Sequence, residues 1–399
     1  MSKNANKVTA FMLTATLLAS LMVGLLAVPV MGAKDVAVVI ENGPGPWVRA
    51  IDGTFYTYAR IDGVDKVLKS KNARSWFSTA YAGNPVVDIV ASGLDRNIVY
   101  VVDTAGDIWK TSNAGNNWDN LIPLDNPISN HGNITSLVVG YIDDDPFLFA
   151  STVGNGTNTI GGVFVLPEAE LAADWIDSNL AGDHGLAATD VEVWDVALSP
   201  NFGVDQMVIA AFVDKTANKT FVTTQYGGSL WSAYMEDAEL QYTTIGDDLS
   251  FTATSAVIWI PEDFDSDKSS GRMEYFIGVT AATSGGDVYR VVTNQAFDRN
   301  IGGVFSDTNA VGLDGVGEIG HIALLAGTDS GRIYRSINYD WTWTRDQAPP
   351  TGGDNAYPIL ADKFAKNGKA WAAVDGDSSE GAVSLSRDGG ENWKQIFPR

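Results

Sequence analysis

The stretch SRDGGENW, at residues 386–393, is the most regular local pattern in this 399-residue sequence. Its spacing, Ser/Thr-x-Asp/Asn-x-Gly-x-x-Trp, recurs as TSNAGNNW at 111–118, as SINYDWTW at 336–343 and, in worn form, as SKNARSWF at 70–77. A pattern that recurs along a chain indicates a repeat architecture. The residues at the pattern positions are Ser386, Asp388, Gly390, Trp393, Thr111, Asn113, Gly115, Trp118, Ser336, Asn338, Trp343, Ser70, Asn72 and Phe77.

Each copy of the pattern closes a longer unit that is rich in β-forming residues. Two apolar runs joined by a turn precede it, and three of these turns carry a phenylalanine, in SPNFGVDQM, IPEDFDSDK and LADKFAKNG. Four short strands and their turns need about 40–50 residues, which is the period of a propeller blade. Only PEAELAADW, at 167–175, is typical of a short helix. The predicted units, seven in number, centre on residues 36–80, 86–120, 134–176, 190–235, 253–298, 317–345 and 357–397.

The residue types in the pattern suit a hairpin between two strands. The Asp or Asn oxygen and the Ser/Thr hydroxyl can accept hydrogen bonds from turn amides. Glycine tolerates a positive φ angle, and tryptophan can fold back and fill space between sheets. All of these roles are structural, so we expect the pattern residues to stabilise the fold and to do no chemistry.

The repeated pattern resembles the Asp-box, also called the bacterial neuraminidase repeat. The resemblance covers nearly all of residues 34–399 and implies a seven-bladed β-propeller of four-stranded antiparallel blades with Asp-box hairpins. GDIWKTSNAGNNW, at 106–118, is most similar in style to photosystem II assembly-factor and sortilin-type propellers and to bacterial surface-layer propellers. In that superfamily the hairpins lie on the blade edge away from the usual ligand site.

Residues 1–33 are typical of an export signal. Lys3 and Lys7 precede an uncharged stretch from Val8 to Val30, and small residues follow it. An uncleaved N-terminal anchor is the alternative, because the apolar stretch is about long enough to span a bilayer. Both interpretations predict an exported protein of the cell surface, extracellular space or envelope of a prokaryote.

The charge balance limits the partners. The chain has 26 Lys and Arg against 49 Asp and Glu, a net charge of −23, and it has no cysteine. Nucleic acid and anionic lipid both require a basic surface, so neither is an expected partner. Contact with a membrane is expected only through the N-terminal segment. The expected partners are other envelope or surface proteins, including further copies of this chain in a lattice.

One acidic turn has the spacing of a calcium loop, although no cofactor is required by the rest of the sequence. Its flanks are typical of strands rather than helices, and Lys268 stands where such a loop needs glycine. A solvated turn between strands is therefore the competing interpretation. The candidate oxygen ligands are Asp263, Asp265, Asp267 and Glu274, with Ser269 and Gly271 at the intermediate positions.

No catalytic set stands out. Sialidases share the Asp-box, but YARID at 58–62 lacks the proline of their Phe/Tyr-Arg-Ile-Pro motif, and Arg290 and Arg335 occupy a repeated strand position. Xyloglucanase-type enzymes need an aspartate pair, and none is singled out here. The sequence therefore favours a non-enzymatic, exported propeller that serves as a surface-layer or envelope structural and binding protein. The alternative is a secreted Asp-box glycoside hydrolase, either sialidase-like or xyloglucanase-like.

A closed propeller must join its last blade to its first, or a strand edge stays exposed. The apolar segment DVAVVI, at 35–40, and the final strand segment NWKQIF, at 392–397, are the candidates for this junction. We expect the two segments to lie close together, either paired in one sheet or on facing edges of adjacent blades.

Overall fold

The structure is a computed structural model, and it consists of antiparallel sheets that follow one another along the chain. The predicted export signal at 1–33 lies outside the described residues, so both interpretations of it stay predictions. Within the described part of the chain, no helix is long and apolar enough to cross a membrane. The structure describes residues 40–42, 45–124, 128, 130–170, 173–243, 248–302, 308–339, 342–376 and 381–398.

The described strands form six hydrogen-bonded sheets, numbered here in chain order. The first contains β1 (Ile40–Asn42), β2 (Trp47–Arg49), β3 (Phe55–Ile61), β4 (Val64–Ser70) and β5 (Phe77–Ser78). The second contains β6 (Val86–Ala91), β7 (Val99–Asp103), β8 (Ile108–Thr111) and β9 (Asp119–Asn120). The third contains β10 (Asn133–Ile142), β11 (Asp145–Val153), β12 (Gly162–Pro167), β13 (Ile176–Asp177), β14 (Val191–Leu198), β15 (Met207–Asp214), β16 (Lys219–Tyr226), β17 (Ala238–Thr243) and β18 (Asp248–Ser250).

The remaining three sheets have four strands each. The fourth contains β19 (Ala253–Trp259), β20 (Glu274–Ala281), β21 (Val288–Val292) and β22 (Gln295–Asp298). The fifth contains β23 (Ala310–Val316), β24 (Ala323–Thr328), β25 (Ile333–Ser336) and β26 (Thr344–Arg345). The sixth contains β27 (Ala356–Leu360), β28 (Ala370–Val374), β29 (Ala382–Ser386) and β30 (Lys394–Phe397).

The predicted propeller of four-stranded antiparallel blades is confirmed, but the predicted count of seven blades is wrong. Five sheets have the four or five strands of one blade, and the third sheet has nine. Two predicted units share that sheet because Val153 pairs with Glu192 at the start of β14. Gly154 and Gly161 permit this approach, since a Cβ on Gly161 would lie 1.9 Å from the Val191 carbonyl oxygen.

The core lies between the sheets, and the inner strands of each sheet are its most buried elements. β7, with sequence VYVVD, and β28, with sequence AWAAV, are buried at every residue. Such strands are covered on both faces, which explains why they are apolar runs rather than alternating patterns. By contrast, β5, β9, β13 and β26 have two residues each and lie at the outer edge, where a short strand limits unwanted pairing.

The first and sixth sheets are neighbours. The Trp47 indole N–H donates to the Tyr357 carbonyl (3.1 Å), and the rings of Phe55 and Trp371 meet edge-on with centroids 4.8 Å apart. Phe397, from the predicted closing segment, lies 5.8 Å from the ring of Trp76. These contacts place the final strand segment on a facing edge of the first sheet.

The alternative of direct pairing between the two terminal segments is wrong for the part that the structure describes. Ile40 pairs with Ile61 in the first sheet instead of with a residue of β30. Residues 35–39 lie outside the described residues. The first sheet thereby gains β1 and contains five strands, because the N-terminal segment extends its own blade.

The 386–393 hairpin is held by a compact set of hydrogen bonds. The Ser386 hydroxyl donates to Asp388 Oδ1 (2.8 Å) and accepts the Gly390 N–H (2.9 Å), while Asp388 Oδ1 accepts the Asn392 N–H (3.0 Å). The Trp393 indole is buried and donates to the Gly390 carbonyl (3.1 Å). These are the structural roles that the residue types suggest.

The 111–118 hairpin repeats this arrangement with asparagine. Thr111 Oγ1 donates to Asn113 Oδ1 (3.1 Å) and accepts the Gly115 N–H (2.8 Å). The Trp118 indole N–H donates to Thr79 Oγ1 (3.2 Å), across the junction with the first sheet. This copy therefore also links two neighbouring blades.

The 336–343 hairpin keeps only part of the set. Ser336 Oγ donates to Asn338 Oδ1 (3.0 Å), which also accepts the Thr342 N–H (3.1 Å). Asp340, which replaces the glycine, lies outside the described residues. Trp343 is half-buried and packs against the core between the fourth and fifth sheets.

The worn copy at 70–77 corrects one prediction. Phe77 is 42% exposed, so it does not fill the inter-sheet space. Trp76, which is 1% exposed, fills it instead, and its indole donates to the Ala73 carbonyl (3.2 Å) as that of Trp393 does to Gly390. The turn is one residue shorter here, which moves the buried position one residue towards the N-terminus. Ser70 and Asn72 keep their hydrogen bond at 3.3 Å.

The three phenylalanine-bearing turns join the first two strands of a blade, as predicted. Phe202, Phe264 and Phe364 are all buried, and two of these turns form single helical turns, Phe202–Asp205 and Phe364–Asn367. Leu180–Asp183 forms another short helix, and Ala188–Asp190 a 3₁₀ turn.

The helix predicted at 167–175 is wrong for the described residues of that range. Pro167 ends β12, and the chain then turns. Glu168 forms an ion pair with Lys110 and accepts a hydrogen bond from the Tyr100 hydroxyl. These partners belong to the second sheet, so a tertiary contact outweighs the local helix propensity.

Replacing the buried indole of the best hairpin tests its structural role. We expect Trp393→Ala to reduce the free energy of unfolding by about 3–5 kcal/mol, since it leaves a cavity between sheets. Phe77→Ala is the matched control at the exposed position of the worn hairpin, and it should change stability by less than about 0.5 kcal/mol. Urea denaturation measures both variants, and equal midpoints for the two would contradict the assignment.

Candidate functional site

The first strands of successive blades enclose a cavity of about 580 Å³. They contribute apolar walls, such as Val48, Val87 and Trp194, and polar groups, such as Ser136 and Ser255. Clefts of this size that combine apolar walls with a few polar groups are the usual location of ligand sites. This central cavity is therefore the candidate ligand-binding site.

Three buried aspartates line the central cavity, each on the first strand of a predicted unit: Asp88 on β6, Asp195 on β14 and Asp314 on β23. The turns after first strands add two further acids, Glu262 and Asp362. In each of the three buried aspartates, Oδ1 accepts the N–H of the next residue, at 2.8–2.9 Å. Oδ2 reaches the following first strand: Asp88 Oδ2 accepts the Leu137 N–H (2.9 Å), Asp195 Oδ2 the Ile258 N–H (2.6 Å) and Asp314 Oδ2 the Leu360 N–H (2.6 Å).

These three carboxyls are weaker acids than an exposed aspartate. Burial raises the pKa of Asp88 and Asp314 to about 7 and that of Asp195 to about 6, although backbone amides oppose the shift. A raised pKa beside a cavity is a common sign of an acid catalyst. Here, however, both oxygens of each carboxyl are bound to backbone N–H groups. The arrangement therefore fastens neighbouring first strands together.

None of the sequence motifs includes these three residues. Each is a single acid inside an apolar run, in VVDIV, VWDVA and GLDGV. A lone aspartate in the first strand of a repeat unit is the signal that could have identified them, because a buried carboxylate needs donors from outside its own strand.

An ion pair lies at the rim of the cavity where the first and sixth sheets meet. The Arg49 guanidinium contacts both carboxylate oxygens of Asp362, and this pairing lowers the pKa of Asp362. Asp362 belongs to the phenylalanine-bearing turn of the sixth sheet, while Arg49 ends β2. The pair joins the first sheet to the sixth, and Arg49 is therefore not an unpaired cation.

The structure does not bring the four calcium candidates into one site. Asp263 Oδ1 accepts the Ile319 N–H (2.8 Å), Asp265 Oδ1 the Asp267 N–H (2.9 Å) and Asp267 Oδ1 the Ser269 N–H (2.8 Å). Glu274 is buried at the start of β20 and binds Arg290 (2.8 Å) and the Tyr339 hydroxyl. Among the residues with described positions, no group of three His, Cys, Asp or Glu side chains could hold a metal ion.

The arginines considered for a sialidase site lie within the sheets. Arg290, on β21, pairs with Glu274, and Arg335, on β25, lies 3.5 Å from Glu391. Each is thereby engaged by an acid of its own or a neighbouring blade. A substrate carboxylate would need several arginines that converge without such partners.

The class that this fold defines is the β-propeller. Among solved structures, "YCF48 from Cyanidioschyzon merolae" is similar to this chain with a TM-score of 0.53 and 15% identity, over 87% of this chain and 95% of that one. A structure described as "YCF48 bound to D1 peptide" superposes with a TM-score of 0.47 and 12% identity, over 88% and 98%. No protein-family model and no curated protein matches.

At these identities the likeness shows the fold alone. The prediction of a β-propeller is confirmed by the sheets and by the similar structure. Membership of the Asp-box group stays a prediction that rests on the residue pattern and its hydrogen bonds.

The buried carboxyls predict a pH dependence of stability. Asp88 binds its proton more tightly in the folded chain, where its pKa is about 7, than in the unfolded chain, where its pKa is 3.8. Folding is therefore favoured at low pH, and this contribution is lost as pH rises towards 7, by up to about 1.4 kcal/mol per pH unit. We expect Asp88→Asn to flatten the dependence between pH 4 and pH 7. Urea denaturation across this range measures it, and Asp143→Asn, at an exposed turn, should keep the wild-type slope.

The acidic turn gives a separate prediction for calcium. Because Asp263 and Glu274 are engaged elsewhere, we expect the same melting temperature in about 5 mM calcium and in chelator. Differential scanning calorimetry provides the comparison. A rise with calcium that disappears in Asp265→Asn would restore the calcium interpretation.

Proposed function

We propose that this chain is an exported, non-enzymatic propeller of the Asp-box type that binds other proteins of a prokaryotic cell envelope. The observation that carries the proposal is the use of Asp88, Asp195 and Asp314, the three buried aspartates of the cavity, as backbone acceptors. A cavity whose buried acids hold the scaffold together suits recognition better than proton transfer.

A glycoside hydrolase needs two carboxyl groups that flank one bond, one of them with a raised pKa and each free to reach substrate or water. In this propeller Asp88, Asp195 and Asp314, the cavity carboxyls with a raised pKa, each accept two backbone amides. The conserved chemistry of sialidases also needs unpaired arginines, whereas Arg290 and Arg335 have acidic partners. These features support the non-enzymatic alternative, with no metal or cofactor required.

The exposed apolar side chains support a protein partner. Val204 is 88% exposed, Leu230 63% and Ile337 68%. They lie on the turns and hairpins at one edge of the blades, whereas large apolar side chains are normally covered unless a partner buries them. The predicted export signal supports an envelope location, and a surface lattice is one form that such assembly could take.

Fractionation of native cells, followed by chemical cross-linking of the envelope fraction, tests the proposal. We expect the chain in the envelope or external fraction, where it should cross-link reproducibly to a defined protein. Imaging of the envelope then distinguishes a lattice from a one-to-one complex. A cytoplasmic location would contradict export.

A parallel assay tests the absence of catalysis. We expect no release of reducing sugar or sialic acid from a panel of oligosaccharides. Hydrolysis by the wild-type chain that is lost in Asp195→Asn would contradict the proposal and support the glycoside hydrolase. A variant such as Ile337→Ala, remote from the cavity, serves as the control for that loss.

A further inference from the structure

Two tyrosines stack on each other at the edge of the third sheet. The rings of Tyr226 and Tyr234 have centroids 4.9 Å apart and are 16° from parallel. They line a surface recess of about 550 Å³ together with Val204, Asp265 and Asp267. We call these five residues the tyrosine surface. It lies on the turn and hairpin edge of the blades, away from the central cavity.

The hairpin that carries the tyrosines is firmly anchored. Tyr226 ends β16, and Gly227 and Gly228 follow it with φ angles of 56° and 69°, which only glycine adopts at little cost. Trp231 is buried, and its indole N–H donates to the Ser178 carbonyl (3.1 Å), while its backbone N–H donates to Asp183 (2.9 Å). The rings are therefore presented by a rigid turn.

Apolar groups lie beside the rings. Val204 stands on the single-turn helix Phe202–Asp205, whose Phe202 is buried, and it is 88% exposed. The Gly227 N–H donates to the Gln206 carbonyl (3.2 Å), which joins this turn to the tyrosine hairpin. A fixed, exposed apolar side chain next to an aromatic pair is typical of a docking surface.

The charges of the surface define its partner. Asp265 and Asp267 stand at its rim, and hydrogen bonds from Ser269 lower the pKa of Asp267, so that its negative charge persists well below neutral pH. Aromatic faces attract cations. The molecule itself displays this preference, because the Lys268 ammonium lies 5.4 Å from the centre of the Tyr234 ring.

A second copy of the chain is a poor occupant. The net charge of −23 makes two copies repel each other, and the same charge disfavours acidic partners. The combination of stacked rings, carboxylates and a fixed apolar side chain matches a guanidinium or ammonium group on an extended segment, whose aliphatic stem can lie against Val204.

We propose that the tyrosine surface is the docking site for an arginine- or lysine-bearing segment of a partner protein. This inference rests on the proposed function as a protein-binding propeller and names the chemistry of the partner. The cationic group would lie over the exposed face of Tyr226, within reach of Asp265 and Asp267.

A pair of synthetic peptides tests the proposal on the full chain. One contains two arginines in a Gly/Ser background, and its matched control has glutamine in place of each arginine. We expect the arginine peptide to bind more tightly by at least about 5-fold, with a difference that shrinks at higher salt. Isothermal titration or NMR titration measures the two affinities.

Variants then locate the binding. Tyr226→Ala should weaken the arginine peptide by about 3- to 5-fold, whereas Tyr226→Phe, which keeps the ring, should bind like the wild type. Asp267→Asn should weaken it similarly, with Asp143→Asn as the control for loss of an exposed carboxylate. Lys268→Ala should strengthen binding about 2-fold, because it removes a competing ammonium from Tyr234.

The outcomes separate this inference from the proposed function. Equal affinities for the two peptides, or unchanged affinities in Tyr226→Ala and Asp267→Asn, would overturn the docking site. If an envelope partner also cross-links equally well to Tyr226→Ala, the protein-binding function stands without this surface. Binding of neutral oligosaccharides that Tyr226→Ala abolishes, without preference for arginine, would instead assign the rings to carbohydrate.

Discussion

β10, β19 and β27 each pair with a single neighbouring strand, so some of their backbone N–H groups lie towards the centre of the propeller and have no acceptor on another strand. A buried amide without an acceptor destabilises the fold by as much as a lost hydrogen bond. In this chain the Leu137, Ile258 and Leu360 amides are satisfied by a carboxylate from the preceding first strand. The same bonds join neighbouring first strands and oppose the rise in the aspartate pKa values that burial causes. One set of hydrogen bonds therefore both satisfies these amides and holds neighbouring first strands together around the cavity.

The parts of the fold that sequence could predict are those with a local cause. The 386–393 hairpin follows from hydrogen bonds between residues two to four positions apart, so its pattern survives in the sequence. The predictions that were wrong depend on contacts between residues that are distant in the sequence. Phe77 was misassigned because the shorter turn at Ala73 moves the buried ring to Trp76, and the blade count failed because Gly154 and Gly161 let two units share a sheet. The donors to Oδ2 of Asp88, Asp195 and Asp314 come from the next first strand along the chain, 46 to 63 residues away, so no local spacing predicts them.

The turn and hairpin edge of the blades can carry a binding surface without disturbing the packing of the core. Trp231 is buried while its neighbour Leu230 is 63% exposed, so the scaffold constrains one side of the turn and leaves the other free. Tyr226 and Tyr234 occupy this unconstrained side, at the two ends of the same hairpin. A side chain there can change the recognition chemistry at little cost to stability, since its neighbours hold the turn without it. Such positions are where recognition is expected to diverge among propellers that share one core.

The large surplus of acids has a related explanation. The chain has a net charge of −23, and its many aspartates could be taken for metal ligands or catalytic residues. Many of them serve as acceptors for their own turns, as Asp388 does in the last hairpin and as Asp103 does for the Ala105 N–H (2.9 Å) and the Trp109 indole (3.1 Å). Among the residues that the structure describes, such turns do not bring three of these side chains together at a metal site. Where such a turn is exposed, as at Asp267, the carboxylate keeps its charge, and the scaffold acquires a negative surface as a consequence of how its turns are built.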